Sequence, residues 1–430
     1  MKTVVIDHLA RVEGHGGITV ELEGDEIANV RFDVFEGARL LEPLVRGKRF
    51  DEVAPTLSRI CSICSVAHSL TSLKATENAF DVRVSPQTEL LRELLYRGEN
   101  IESHALHLFL LALPDYLDYP SAIALAGDKP APVLLGLRLK KMGNLIQETV
   151  GGRAIHPVNA VPGGFGRVPA IDRLLELRSA LIEGMKDADA VIDIMSSLPE
   201  TDFCRCPTVC AALLSSYPDS YYAGDRVMVA CDGERHVLHS TEYKSLTNEE
   251  AVPHSLAKHS RFRGKPFMVG ALARLAIHPQ RLAGKLASTA RRLGLQLPAD
   301  NPMDNNRAQA LELIGDVERA LAIIEQLLRD GIKDERPVGV HPHAGTGTAI
   351  TEAPRGLLIH SYEYDAEGRI VSADVVTPTA MNAASMELHF RRAVEQCTER
   401  QDAVLAKRLQ MIARAYDPCI SCSVHLVRRA

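Results

Sequence analysis

The chain has 430 residues, a formal net charge of −6, 46% hydrophobic and 24% charged residues, and no tryptophan. That is the balance of a globular protein with a large, mostly aliphatic core. No basic stripe marks a nucleic-acid footprint, and the greasiest stretch, Ala105 to Leu113, holds His107 and ends at Pro114, too short for a membrane span.

The predicted elements run as follows. Residues 3–35 alternate apolar and polar, with turn signals at Gly16-Gly17 and Gly24-Asp25, and predict a small β-meander. Helices are expected over 64–80 and 87–113, a loop over 119–132, and helices over 133–150 and 170–196, the last after a Gly- and Pro-punctuated loop. Residues 200–255 read as irregular, with a strand-like run from Arg226 to Ala230. Helices near 279–293 and 304–330 precede a hairpin over 356–376 that turns at Ala366-Glu367-Gly368. One or two helices fill 383–416 and stop at Asp417-Pro418, because the residue before proline disfavours helix. The expected architecture is one helix-rich α+β domain over 1–430: a central helical bundle, an N-terminal meander over 1–35 and peripheral hairpins.

MKTVVIDHLARVEGHGG lacks an apolar core and cleavage site, so no secretory signal is read. Nine cysteines, an odd number, argue against a disulfide framework and for a reducing, cytoplasmic setting. Two motifs carry the chemistry: Cys61-Ser62-Ile63-Cys64, with His68 four residues on, and Cys419-Ile420-Ser421-Cys422, with His425 three residues on. A C-x-x-C pair aims two sulfurs at one point, for a metal or a redox disulfide. Four thiolates admit zinc, a plain iron centre, an iron–sulfur cluster, or nickel and iron. Spacing weighs against a simple zinc staple, because closing a loop some twentyfold longer than a zinc module's costs roughly 3 kcal/mol more. Cys204, Cys206 and Cys210 form C-x-C-x3-C without an evident fourth ligand and read as buried thiols.

RICSICSVAH and DPCISCSVH together resemble the two ligand motifs of the NiFe-hydrogenase large subunit. RVEGHGG, LEPLVRGK, GGRAIHP, EAPRG and TPTAMN look like further blocks of that family in the same order, so the likeness covers nearly the whole chain. AKHSRFRGKPFMVGALAR and the short length are most similar to the cytoplasmic, NADP-linked sulfhydrogenase type. The resemblance implies the large-subunit fold, nickel bound by Cys61, Cys64, Cys419 and Cys422, and iron bridged by Cys64 and Cys422 and carrying CO and cyanide. It implies reversible heterolytic cleavage of H2 into two protons and two electrons, with a terminal thiolate as base.

By the same resemblance Glu13 relays protons beside Cys419, a step that burial favours by raising a carboxylate's pKa. Arg355 projects over the open metal face and contacts one cyanide, Asp417 fixes that arginine, and Thr379, after Pro378, bonds the other cyanide. His68 bonds a bridging sulfur, and Glu42 and His425 hold a separate magnesium-type ion. Read without the family, each is an ordinary loop, core or turn residue, as are His104 and His107 on the 87–113 helix. Two positions depart from the pattern: Ser103 stands where many members carry Asp, and Ser62 replaces a usual glycine. Residues 426–430, LVRRA, match a peptide that a maturation endopeptidase removes after nickel insertion.

No G-x-G-x-x-G follows a strand and no P-loop is present, so the chain is expected to bind no nucleotide itself. Electrons then need a small subunit with Fe–S clusters and a flavin- and NAD(P)-binding diaphorase-type subunit, in an expected heterotetramer, with sulfur or polysulfide as an alternative acceptor. An H2-sensing regulatory subunit and a zinc-binding scaffold subunit are the competing readings.

Overall fold

The alternating N-terminal pattern does form a meander. In the computed structural model, which describes residues 2–24, 26–37, 40–215, 220–398 and 401–424, strands β1 (Lys2–Ile6), β2 (Gly16–Glu23) and β3 (Glu26–Val34) pair antiparallel in that order. Val4 faces Val20 and Ile18 faces Phe32, and the inward Ile18, Val20 and Phe32 are fully buried. Gly16 and Gly17 open β2 instead of turning; the reversal is carried by the whole loop 7–15.

The helical periodicities give α1 (Ser65–Ala79), α2 (Pro86–Leu106), α3 (Pro130–Gly151), α4 (Ile171–Ser196) and α5 (Asp304–Asp330). Ser85 starts α2 by accepting the Thr88 N–H at 3.1 Å, with Pro86 following. Beyond Leu106 the chain continues through a π-helical turn, His107–Ala112, to Tyr116. The segment expected as a loop over 119–132 is not one. Ser121 caps a helix over Ala122–Asp128, accepting the Ala124 N–H at 3.2 Å, and Pro130 opens α3, where its missing N–H needs no partner.

Helices α2, α3, α4 and α5 pack on one another as the expected bundle. The α2–α3 crossing is close because glycine sits on both sides. A Cβ on Gly143 would lie 2.5 Å from the Gly98 carbonyl oxygen, and one on Gly98 would lie 2.9 Å from Ile146.

The region read as irregular holds a sheet. β4 (Val209–Leu214), β5 (Arg226–Cys231) and β6 (Glu234–His239) pair antiparallel, and β7 (Phe267–Met268) joins β4 in parallel, a partner too distant in sequence to read locally. Between Met268 and α5, the 279–293 helix is shorter than expected, Gly284–Arg292, behind a 3-10 turn at Pro279–Arg281. The expected hairpin gains a strand: β8 (Gly345–Ala353) precedes β9 (Gly356–Tyr364) and β10 (Ile370–Val376). The last helical stretch divides into α6 (Pro378–Glu395) and α7 (Asp402–Ala415), and stops where expected, with Asp417 at φ 51° before Pro418.

Candidate metal centre

Each cysteine pair is presented by a helix start. Cys61 follows a 3-10 turn (Ser58–Ile60), and Cys64 is the residue that caps α1. There the backbone N–H groups of Ile63 and Cys64 point at Cys61 Sγ, at 3.2 and 3.3 Å. The free N–H groups of Val66 and Ala67 in the first turn of α1 go instead to Glu99 on α2, at 2.6 and 3.0 Å. Burial pushes the Glu99 carboxyl well above the ordinary carboxylate range. At the other end of the chain Cys419 caps the short turn Ile420–Ser423, and its N–H donates to Thr379 Oγ1 at 2.9 Å. Pro378 and Thr379 form the first turn of α6.

The two pairs meet. Cys61 Sγ lies 3.4 Å from Cys419 Sγ, and Cys64 Sγ 3.7 Å from Cys422 Sγ. All four sulfurs lie within 4.8 Å of one another and all four cysteines are buried. Cys419 and Cys422 are joined as a disulfide; as ligands both must be thiolates, two electrons more reduced. The bond between the Cys61 and Cys64 side chains, with Arg355 nearby, holds Cys61 below the usual thiol range. The same hydrogen bond and burial push the Cys64 thiol up.

Glu13 reaches this cluster from the loop before β2. Its Oε2 is 3.2 Å from Cys419 Sγ and accepts the Ser421 N–H at 3.1 Å, while Oε1 takes the Ser421 hydroxyl. Its backbone oxygen accepts the Ile420 N–H at 2.9 Å, a parallel bridge that sews the N-terminal loop to the second motif. Gly14 allows this approach: its φ is +85°, and a Cβ there would lie 2.8 Å from Ser421 N. Glu13 is half-buried, more exposed than a fully enclosed relay.

Arg355 sits in the two-residue turn that joins β8 to β9, where Ala353 faces Gly356. Its Nε donates to the Asp417 carbonyl at 2.6 Å and Nη2 to Asp417 Oδ1 at 3.0 Å. Nη1 is buried and has no hydrogen-bond partner. Asp417 Oδ2 accepts from Gln309 Nε2 at 3.2 Å, and Gln309 in turn bonds His107. Arg274, in the short helix Ala271–Ile277, holds the Arg355 turn from behind by donating to the carbonyls of Ala353 and Pro354, both at 3.0 Å. It is neutralised there by Glu312 and Glu352, at 2.6 and 2.9 Å.

His68 pairs with a second buried histidine. Its Nδ1 meets His360 Nε2 at 3.1 Å, and burial lowers its pKa to about 3, which keeps it neutral. His360 in turn meets the Tyr362 hydroxyl through its Nδ1. Ser103 Oγ is buried and unpartnered, so the position that departs from the family pattern makes no bond to Arg355; Gln309 supports Asp417 instead. His104 bonds Glu312 at 3.2 Å and His107 bonds the Arg414 carbonyl at 2.6 Å, so both work in the helix packing. Glu42, in the first turn of a short helix (Leu41–Val45), accepts the Val375 N–H at 2.8 Å. It lines a cavity of about 320 Å³ with Ser421, Cys422 and Val424. His425 and the 426–430 peptide lie outside the described residues. Cys204, Cys206 and Cys210 do not converge; their sulfurs face the carbonyls of His389, Pro207 and Thr208.

Sequence reasoning gave no role to Ser421, Gln309, Glu99, Arg274 or His360. Ser421 alone had a local signal, a hydroxyl between the two cysteines.

A model of the family described as nickel-dependent hydrogenase matches residues 39–136 and 211–425, well over half the chain. The chain belongs to the nickel-dependent hydrogenases. A second model, described as HoxL-like, matches residues 3–36 of this hydrogenase chain. It is 38% identical over 426 residues to sulfhydrogenase 1 subunit alpha of Pyrococcus furiosus, covering 99% of this chain and 98% of that one. Sulfhydrogenase 2 subunit alpha of the same organism is 37% identical, with 99% of each chain covered. The beta subunit of the NAD-reducing hydrogenase HoxS of Cupriavidus necator is 28% identical, covering 99% and 95%. Among solved structures, the NAD+-reducing [NiFe]-hydrogenase in its H2-reduced state superposes with a TM-score of 0.86 at 27% identity, over 99% of this chain and 100% of that one. This is therefore the catalytic large subunit of a NiFe-hydrogenase. Among the described residues no helix is long and apolar enough to cross a membrane.

The donor set fits the family's metals. Four buried sulfurs within 4.8 Å of one another suit soft or borderline ions, and the orphaned Arg355 Nη1 offers a donor to an anionic ligand beside them.

Proposed function

We propose that this subunit interconverts H2 with protons and electrons at a nickel–iron centre held by Cys61, Cys64, Cys419 and Cys422, and passes the electrons to NAD(P) through partner subunits. The observation that carries this reading is the placement of Glu13, 3.2 Å from Cys419 Sγ, on one side of four converging sulfurs, with the unpartnered Arg355 Nη1 beside them. Nickel, with iron carrying CO and cyanide, supplies when bound the Lewis-acid and redox chemistry that side chains lack.

The protein's own residues handle the proton and the anions. Cys419, as a thiolate, takes a proton at its sulfur, and Glu13 Oε2 is within one hydrogen bond to pass it outward. Ser421 fixes both carboxylate oxygens, so the relay is oriented before it acts. Arg355 directs Nη1 to one anionic ligand, with its plane set by Asp417. Thr379 accepts from Cys419 N–H and keeps its own O–H proton to donate to another.

Further parts of the reading rest on likeness. Glu42, with His425, would hold a magnesium-type ion in the cavity beside Cys422. Partners would be a small subunit with Fe–S clusters and a flavin-bearing, NAD(P)-binding subunit, supported by the two NAD-reducing relatives. The sulfhydrogenase relatives support sulfur or polysulfide as a second acceptor. The chain would work as one domain in the cytoplasm, with LVRRA removed on maturation.

The test is the metal content and mass of the chain isolated natively with its partners. Nickel near one per chain, iron in excess, and a chain ending at His425 are expected, together with H2-dependent reduction of NAD(P). Zinc without nickel in a chain already ending at His425 overturns the reading.

A further inference from the structure

Among the described residues, one other cluster brings metal-ligating atoms together: His254, His259 and Glu387, with one ligand atom from each within 4.8 Å of the others. It contains no cysteine and is separate from the Glu42 cavity. The segment that carries the histidines is tied down on both sides. Leu256 N–H donates to the Val34 carbonyl at 2.9 Å, Ala257 forms an antiparallel bridge with Val424, and His259 exchanges backbone hydrogen bonds with Glu250, both 2.8 Å. Glu387 comes from α6, whose first turn carries Thr379.

Glu387 Oε1 meets His254 Nε2 at 2.8 Å and accepts the Phe32 N–H at 2.9 Å; Oε2 lies 3.7 Å from His259 Nδ1. An ion pair accounts for His254 and Glu387 but leaves His259. That ring is 1% exposed, and neither of its nitrogens has a hydrogen-bond partner. A buried imidazole with both nitrogens unbonded is costly. The two rings are near perpendicular, 78° with centroids 5.7 Å apart, so they do not stack.

We infer that His254, His259 and Glu387 form a second metal site, for a divalent transition-metal ion of the zinc or ferrous class. Two imidazoles and a carboxylate are a borderline donor set, unlike the all-oxygen cages of magnesium and calcium or the thiolates that hold soft ions. Bonds of about 2.0–2.1 Å in a tetrahedron put neighbouring donors about 3.3 Å apart; Glu387 faces His254 through Oε1 at 2.8 Å and His259 through Oε2 at 3.7 Å, and one ligand atom from each of the three residues lies within 4.8 Å of the others. Three protein ligands leave a fourth position for water. The ion would brace segment 254–259, and through the Ala257 bridge the backbone at Val424, against α6. Its role is structural.

The test uses the natively assembled enzyme, stripped with a chelator and titrated with Zn2+, and separately with Co2+ as a spectroscopic probe. Wild type takes up one more zinc per chain than His259→Gln. Co2+ at this site gives weak visible bands without thiolate charge-transfer absorption, lost in His259→Gln and kept in Cys64→Ser. His254→Ala, at a more exposed position than His259, repeats the measurement should His259→Gln fail to fold. Equal zinc uptake by wild type and either folded variant overturns the assignment. Nickel retained at the four-cysteine centre in the same samples separates this failure from a failure of the hydrogenase reading.

Discussion

At the scale of single residues, the active centre divides into groups that touch reacting atoms and groups that aim them. Glu13→Gln keeps one oxygen to accept from Ser421 and turns the other position into an N–H donor, and it removes the carboxylate's ability to carry a proton. H2 oxidation and H/D exchange should fall by about 10²–10⁴-fold, with nickel content unchanged. Arg355→Lys keeps a charge but loses the planar fork that Asp417 grips at 2.6 and 3.0 Å. Turnover should drop by roughly 10²–10³-fold, while nickel content stays at the wild-type level. The residues proposed to touch the reaction lie in short dense motifs, Cys61 and Cys64, Cys419 and Cys422, Glu13, Arg355 and Thr379, and so does Asp417, which holds Arg355. The other groups that aim them were not legible in the sequence. Gln309, Glu99 and Arg274 look like any helix residue until the fold brings a distant carboxylate or backbone turn against them. The resemblance puts His68 beside a bridging sulfur, and the core supplies a second histidine, His360, at its Nδ1.

At the scale of elements, the Arg355 turn shows how a two-residue loop is made rigid. Arg274 binds its carbonyls and is itself enclosed by Glu312 and Glu352. Replacing Arg274 with Met strands two buried carboxylates, and breaking such a pair costs about 3–5 kcal/mol; chemical denaturation should show a loss of that order. On α6, burial lowers the pKa of His389 to about 4 from 6.5, while its ring nitrogens meet Thr208 Oγ1 and the Tyr416 hydroxyl. The unfolded chain binds this proton below 6.5 and the native one only below about 4. Stability is therefore complete above the upper value and is lost as pH falls through the window, by roughly 3 kcal/mol for this site. His389→Gln should flatten that part of the pH–stability curve in urea titrations. Long periodic helices were legible to within a few residues. The sheet of β4 to β7 was not, because its strands are short and β7 joins in parallel from more than fifty residues away.

At the scale of the whole molecule, the metal centre closes the chain on itself: its two halves are 358 residues apart in sequence. An ion bound only by the native arrangement stabilises it by mass action, about 2.7 kcal/mol at a hundredfold excess over Kd. Loaded enzyme should melt above chelated enzyme, and Cys64→Ser should erase that difference while leaving the melting point of the chelated form nearly unmoved.

The bridge between Glu13 and the second cysteine motif also has a consequence in time. Synthesis delivers Cys61 and Cys64 first, and 358 residues separate each from its partner in the second motif. At about 5–20 residues per second, that leaves roughly 20–70 s during which the nascent chain offers only half a ligand set. Two thiols can catch a stray soft ion in that interval, but they cannot enclose it. Glu13 has no Ile420 amide to hold until the last turn has left the ribosome. Faithful loading is thus a late, post-translational event, and the C-terminal segment acts as the clasp.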